Sequence, residues 1–320
     1  MKRILIISSN RLGDSILSSG IINFLKKNNP NERLTYVCGP IPGSLFRFSI
    51  EIYNLIITKK KSFSFHWIKV WFQTFYNFWD LVIDLRGTGL SFFVLTKKRV
   101  IFRSKEQNIH AVEQISKIIG NEKLPPKINI EKKLLTKISY LNLLIKKKRS
   151  NKLIIIAPTA NWIGKVWPIE RYSKLIMKLK NNKYLINPLF IIVAPIEESK
   201  FAKKLLKLKN VKILNLIGKT NLGEIFLIMK ECSLFIGNDS GLMHLAAASG
   251  IPTVGLFGPS NSKKYRPWGG KSSVILSKKT PDELMGYEGF DSKKCGSLMK
   301  DLSVQKVVKE LEFFIKKNIE

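Results

Sequence analysis

Cysteine and histidine are both scarce in this chain, with three of each among 320 residues. Cys38, Cys232 and Cys295 lie far apart and form no Cys-x-x-Cys pair. That excludes a disulfide framework and a cysteine-rich zinc site, and it fits a reducing compartment. Long apolar runs are missing too. None approaches the roughly 18 residues that a membrane span needs, and the opening MKRILIISSNRLGDS turns polar after Ile7. Neither a spanning helix nor a secretory leader is expected. Three nucleotide-site signatures are absent. No G-x-G-x-x-G occurs: Gly87-Thr88-Gly89 begins like one, but Phe92 stands where the third glycine belongs. The Lys-Ser/Thr pair of a phosphate loop is missing from the first turn, and no Asp-x-Asp pattern exists to hold a metal.

Acidic residues are the other shortage. Asp and Glu number 23 against 55 Lys and Arg, a net charge of +32. Such an excess suits an anionic partner: nucleic acid, an anionic membrane face or a phosphorylated substrate. Lysine is spread along the whole chain, so a compositional bias accounts for the excess equally well. Hydrophobic residues make up 45%, enough to bury a sizeable core, and the length suits two domains.

Strand-like and helix-like patterns alternate. Arg3–Ser8, Leu34–Cys38, Leu81–Leu85 and Val100–Phe102 read as strands in the first half. Leu153–Ala157, Leu189–Ala194, Val211–Leu214, Leu234–Ile236 and Thr253–Phe257 do so in the second, with a helix after Pro168 and a final amphipathic one over Ser303–Ile319. The basic stretch LNLLIKKKRSNK separates the halves. We expect an α/β protein with two doubly wound parallel sheets: a first domain over residues 1–147, a second over 148–302 and a terminal helix over 303–320.

In such sheets ligands bind beyond the carboxyl ends of the strands. The chemistry-bearing residues gather there. Asn238-Asp239-Ser240-Gly241 turns from a strand into a helix carrying His244. The unpaired N–H groups of that helix start suit a phosphate, Ser240 adds a hydroxyl, and Gly241 permits close approach. Asp239 or Ser240 read equally as ordinary caps. Thr159 ends another strand and Lys165 follows it, placed to reach a phosphate or to sit in solvent. Gly258-Pro259-Ser260 forms a third corner at the same edge. In the first half, Gly13-Asp14 follows the first strand, and Asp14 is either a cap or a carboxylate able to accept a proton. A phosphate cradle plus a carboxylate base fits transfer from a nucleotide-activated donor to a hydroxyl.

These segments resemble the bacterial heptosyltransferases, glycosyltransferase family 9. RILIISSNRLGDSILSSGII, WDLVIDLRG, IAPTANWIGKVWPIERY and FIGNDSGLMHLAAASGIPTVGLFGPS carry the likeness in order, over nearly the whole chain. The resemblance implies a GT-B fold: two Rossmann-like domains facing a central cleft, the first for the acceptor and the second for the nucleotide sugar, with the terminal helix packing back towards the first. It implies an inverting, metal-independent transfer with no cofactor, from ADP-heptose to a lipopolysaccharide inner-core acceptor. Asp14 would be the base. Thr159, Lys165, Asp239, Ser240, Gly241 and His244 would bind the donor, and Glu197 or, by preference, Glu198 would hold the nucleoside. Gly13, Arg86 and Arg103 are acceptor-side candidates, with Arg99 beside them. Ala160, where some members carry a polar group, and the loop around an exposed Trp162 depart from the pattern and bear on donor identity.

Trp67, Trp71, Phe75 and Phe78 form a stripe at helical spacing. It reads as core packing, or as an interfacial helix with Lys59, Lys60, Lys61 and Lys69 on anionic headgroups at the cytoplasmic face of an inner membrane. Two rival functions stand beside heptose transfer. One is transfer of another nucleotide sugar to a different surface glycan. The other is nucleic-acid binding, which only the charge supports.

Overall fold

The structure, a computed structural model, describes residues 1–60, 62–103, 106–121, 123–131, 133 and 139–319. Lys61 of the basic cluster lies outside the described residues. The chain forms two compact units, Met1–Thr136 and Lys137–Glu320.

The first unit holds β1 (Arg3–Ile7), β2 (Arg33–Cys38), β3 (Asn54–Ile57), β4 (Trp79–Asp84) and β5 (Thr96–Ile101). Its helices are α1 (Leu12–Leu17), α2 (Ser19–Asn28), α3 (Pro40–Phe46), α4 (His66–Phe72) and α5 (Ala111–Lys117). The strands pair in the order β3-β2-β1-β4-β5, all parallel. Central β1 is apolar at four consecutive positions, Ile4 to Ile7, because both faces of a parallel sheet are covered.

The second unit holds β6 (Leu153–Ala157), β7 (Leu189–Ile192), β8 (Ile213–Asn215), β9 (Leu234–Asn238), β10 (Thr253–Phe257) and β11 (Ser272–Leu276). Its helices are α6 (Ser139–Lys148), α7 (Ile169–Leu179), α8 (Ser199–Ala202), α9 (Leu222–Glu231), α10 (Gly241–Ser249), α11 (Ser262–Tyr265), α12 (Pro281–Met285) and α13 (Val304–Ile319). The order β11-β10-β9-β6-β7-β8 is again fully parallel. The expected plan of two doubly wound parallel sheets is what the chain adopts.

Two details differ from the sequence reading. The units divide between Thr136 and Lys137, ahead of the expected break after residue 147, so α6 belongs to the second unit. Short strands β3 and β11 were not anticipated. The terminal helix α13 buries Val307, Leu311, Phe314 and Ile315 in the core of the second unit.

Each sheet has one switch point, where chain order reverses and the loops after adjacent strands diverge. It lies between β1 and β4 in the first unit and between β6 and β9 in the second. The divergence opens a crevice over the carboxyl ends there. Gly237 lets β9 approach β6 closely, since a Cβ would stand 2.8 Å from the Ala157 carbonyl oxygen.

Cys38 and Cys232 are buried and Cys295 is partly exposed. Burial pushes the Cys38 thiol up to about 12 and raises the Cys232 thiol as well. Labelling with a thiol reagent at pH 8 is expected to modify Cys295 promptly in the folded protein. The other two should react only on denaturation, a count that mass spectrometry gives directly.

Candidate active site

The switch point of the second sheet carries the denser chemistry. Asn238, the last residue of β9, is fully buried, and its Oδ1 accepts from the Trp167 N–H at 3.1 Å and the Tyr172 hydroxyl at 2.9 Å. Trp167 is also fully buried; its indole N–H donates to the Leu302 carbonyl and its ring meets Tyr172 edge-on. This anchoring fixes the short 3-10 turn Ile163–Lys165 two residues upstream. Pro168 is the N-cap residue of α7, which begins at Ile169, directly after the proline as expected. Trp162 is not a free surface ring. It covers Gly164, where a Cβ would lie 2.6 Å from it, and donates to the Ser292 carbonyl at 2.7 Å.

Lys165 therefore points at the corner. Its Nζ lies 2.6 Å from Oδ2 of Asp239, which is only 7% exposed. Ser240 occupies the N-cap of α10 in extended conformation, but its hydroxyl makes no capping bond. Neither Asp239 nor Ser240 serves as an ordinary side-chain cap. The Ser240 hydroxyl is shielded from solvent and has no hydrogen-bond partner, and the same is true of the Thr159 and Ser260 hydroxyls. These three follow β6, β9 and β10, adjacent strands at one sheet edge. A buried hydroxyl left unpaired costs about 1–3 kcal/mol. Three at one edge, beside an ammonium and the N-terminus of a nine-residue helix, form a donor set suited to a phosphorylated ligand. His244 is buried one turn into α10. Glu197 and Glu198 lie in the turn Ile196–Glu198 after β7, Glu197 exposed and Glu198 half-buried. Ser260 is the member that the sequence reading placed at the edge without assigning it to the site.

The switch point of the first sheet carries Asp14. It is the third residue of α1, whose N-cap is Arg11, so Asp14 is not the cap. Its Oδ2 accepts from the Ser9 hydroxyl at 3.0 Å, and that hydroxyl in turn accepts from the Arg11 N–H. Underneath, Tyr36 donates to Ser8 Oγ at 2.7 Å, and Ser8 pairs with Ser15. Burial raises the Tyr36 phenol well above its ordinary value, so it stays protonated as a donor. Across the switch point Asp84 is fully buried and accepts from the Arg86 and Thr88 N–H groups and the Thr88 hydroxyl. Gly87 takes φ +62° in that turn, which a side chain would strain. Asp84 was missed in the sequence; a lone acid closing an apolar strand was its signal.

Of the acceptor-side candidates, Arg86 is exposed over the Trp67 ring and Arg103 is exposed. Gly13 lies in the first turn of α1 beside Asp14. Arg99 instead donates to the Ser91 and Val94 carbonyls, which commits it to holding the turn Gly89–Phe93. Among the described residues no group of three or more His, Cys, Asp or Glu is placed to hold a metal ion.

Two doubly wound parallel sheets, each with polar side chains gathered at its switch point, define an α/β protein of two Rossmann-like units. The signature of glycosyltransferase family 9 (heptosyltransferase) matches residues 93–287, more than half of the chain, and the protein belongs to that family and is a glycosyltransferase. The match includes Thr159, Lys165 and the corner from Asp239 to His244, and it begins after Asp14. Lipooligosaccharide heptosyltransferase 2 of Campylobacter jejuni is 26% identical over 313 residues, covering 94% of this chain and 95% of that protein. The solved ADP-heptose lps heptosyltransferase II of E. coli superposes with a TM-score of 0.74 at 18% identity, over 99% of both chains. E. coli heptosyltransferase WaaC with ADP gives 0.68 at 17% identity, over 98% of this chain and 99% of that one. The architecture is the GT-B class expected from the sequence.

Two substitutions separate structural from ligand-directed roles here. Asn238→Ala strands two buried donors, and urea denaturation should show a loss of about 3 kcal/mol. Thr159→Val and Ser240→Ala remove only unpaired hydroxyls. Their unfolding free energies should stay within about 0.5 kcal/mol of the parent or rise.

Proposed function

We propose that the protein is an inverting, metal-independent heptosyltransferase that moves a heptose from an ADP-heptose donor to a lipopolysaccharide inner-core acceptor. The observation that carries this reading is the Lys165–Asp239 pair beside the unpaired Thr159, Ser240 and Ser260 hydroxyls at one sheet edge. Support for ADP and heptose comes from the similar proteins, whose names specify them.

In this reading the diphosphate sits before the N-terminus of α10. Lys165, Ser240, Gly241 and Thr159 meet its charge, Asp239 holds Lys165 in place, and His244 contacts phosphate or sugar. Glu198 holds the nucleoside from the turn after β7. As the donor C1–O bond breaks, positive charge develops on the sugar and negative charge on the departing diphosphate. The helix terminus and the ammonium stabilise that negative charge. Asp14, oriented by Ser9, takes the proton from the acceptor hydroxyl as its oxygen attacks C1 from the face opposite the diphosphate. Gly13, Arg86 and Arg103 serve the anionic acceptor. No helix among the described residues is long and apolar enough to cross a membrane. A lipid-linked acceptor places the enzyme at the cytoplasmic face of the inner membrane as a peripheral partner.

Calorimetric titration with ADP, GDP, UDP and CMP in the presence of EDTA tests the donor assignment. ADP should bind most tightly, and Lys165→Ala and Ser240→Ala should each weaken it about tenfold or more. Tighter binding of another nucleotide overturns the ADP-heptose assignment. Asp14→Asn should leave ADP affinity unchanged while slowing heptose transfer about 10²–10⁴-fold. An equal loss of both would assign Asp14 to donor binding instead.

A further inference from the structure

The aromatic stripe of the first unit resolves into two sides. Helix α4 spans only His66–Phe72, and from it Trp67 and Trp71 lean on the core of β1, β2 and β4. Most other large apolar side chains of this region turn outward. Phe63 is 91% exposed, Phe93 72%, Phe92 60%, Phe72 59%, Phe65 56% and Ile68 50%.

Helix α4 joins the segments that carry them: Phe65 directly precedes it, and the turn Gly89–Phe93 packs against it. Trp71 donates its indole N–H to the Phe93 carbonyl at 2.7 Å, which joins α4 to the turn Gly89–Phe93. Trp71 meets Phe72 edge-on at 5.1 Å and stacks on Phe75 at 4.7 Å. Phe63 and Phe65 touch at 6.2 Å on the segment leading into the helix. Phe63 is held at φ 49°, a left-handed conformation costly for a bulky residue, in a position where its ring gains almost no burial. Scattered exposed apolar residues are ordinary; a contiguous patch of large rings marks a docking surface.

The charge around the patch selects the occupant. No acidic residue occurs between Glu51 and Asp80 or between Asp84 and Glu106. Lys59 and Lys60 just before the ring-bearing segment, Lys69 on α4, Lys98 on β5 and Arg86, which lies over Trp67, are all exposed. Arg99 lies over Phe92, and Lys97 over Phe78. A second copy of this chain would bring the same cations face to face. A surface both apolar and anionic satisfies rings and cations together, which is the composition of an anionic bilayer interface.

We propose that the outer face of α4 and the turn Gly89–Phe93 is a membrane-docking surface, inserting Phe63, Phe65, Phe72, Phe92 and Phe93 among the lipids with the surrounding lysines on anionic headgroups. The proposal draws on the lipid-linked acceptor of the preceding reading for its purpose. Its test needs neither donor nor acceptor.

The test is sedimentation of the full chain with vesicles of phosphatidylethanolamine and phosphatidylglycerol, and with pure phosphatidylcholine vesicles for comparison. The protein should bind the anionic vesicles, and 0.5 M salt should weaken binding several-fold. Phe92→Ser with Phe93→Ser should weaken it about a hundredfold, about tenfold for each ring, with ADP affinity and thermal midpoint unchanged. Phe63→Ser with Phe65→Ser, on a separate segment, should act in the same direction. Absence of binding to anionic vesicles, or binding by both double variants as tight as that of the parent, overturns the proposal. So does a loss of self-association, seen by analytical ultracentrifugation, in place of a loss of vesicle binding. A failure here with ADP binding intact leaves the heptosyltransferase reading standing. Vesicle binding without ADP binding does the reverse.

Discussion

The carboxamide of Asn238 closes β9 in the interior of the second unit, and its oxygen holds two donors at once. One is the main-chain N–H of Trp167 and the other is the Tyr172 hydroxyl of α7. Through Trp167 this single acceptor fixes the turn that carries Lys165, which in turn reaches Asp239, the residue after Asn238. The loop after β6 and the corner after β9 are thus tied across the switch point by side chains, where the strands no longer exchange backbone hydrogen bonds. The position of the ammonium follows from this tie.

The two corners are built differently. In the second unit, hydroxyls at the sheet edge stay unpaired although they are shielded from water, which is unfavourable for the folded chain. In the first unit the hydroxyls of Ser8, Ser9 and Ser15 are engaged with one another, with Tyr36 and with Asp14. The first corner engages its serine hydroxyls, one of them on the Asp14 carboxylate, and leaves only the Asn10 Oδ1 without a partner; the second leaves its hydroxyls open.

Much of this was legible in the sequence, for identifiable reasons. The central strands β1, β6, β9 and β10 are buried on both faces and announce themselves as apolar runs. The edge strands β3 and β11 were missed because each packs few side chains: Ile56 in β3 and Ile275 in β11 are their buried residues. The corner residues were found because Asn, Asp, Ser and Gly interrupt such runs abruptly. The roles of Asp84 and Asn238 were not legible, since a buried polar side chain reveals itself only through partners that are distant in sequence. The aromatic stripe misled for a related reason. Helical spacing implies one face, but the helix ends at Phe72 and the chain then turns, so Trp71 packs inward while Phe75 and Phe78 do not.

Strand β5 forms one margin of the first sheet and reads Thr-Lys-Lys-Arg-Val-Ile. An open sheet margin offers unpaired N–H and carbonyl groups to any extended chain that meets it, and here a field of exposed rings lies close by. Three consecutive cations on that margin oppose strand-to-strand stacking of identical molecules. Part of the lysine-rich composition thereby bears on self-association as well as on what the surface can bind.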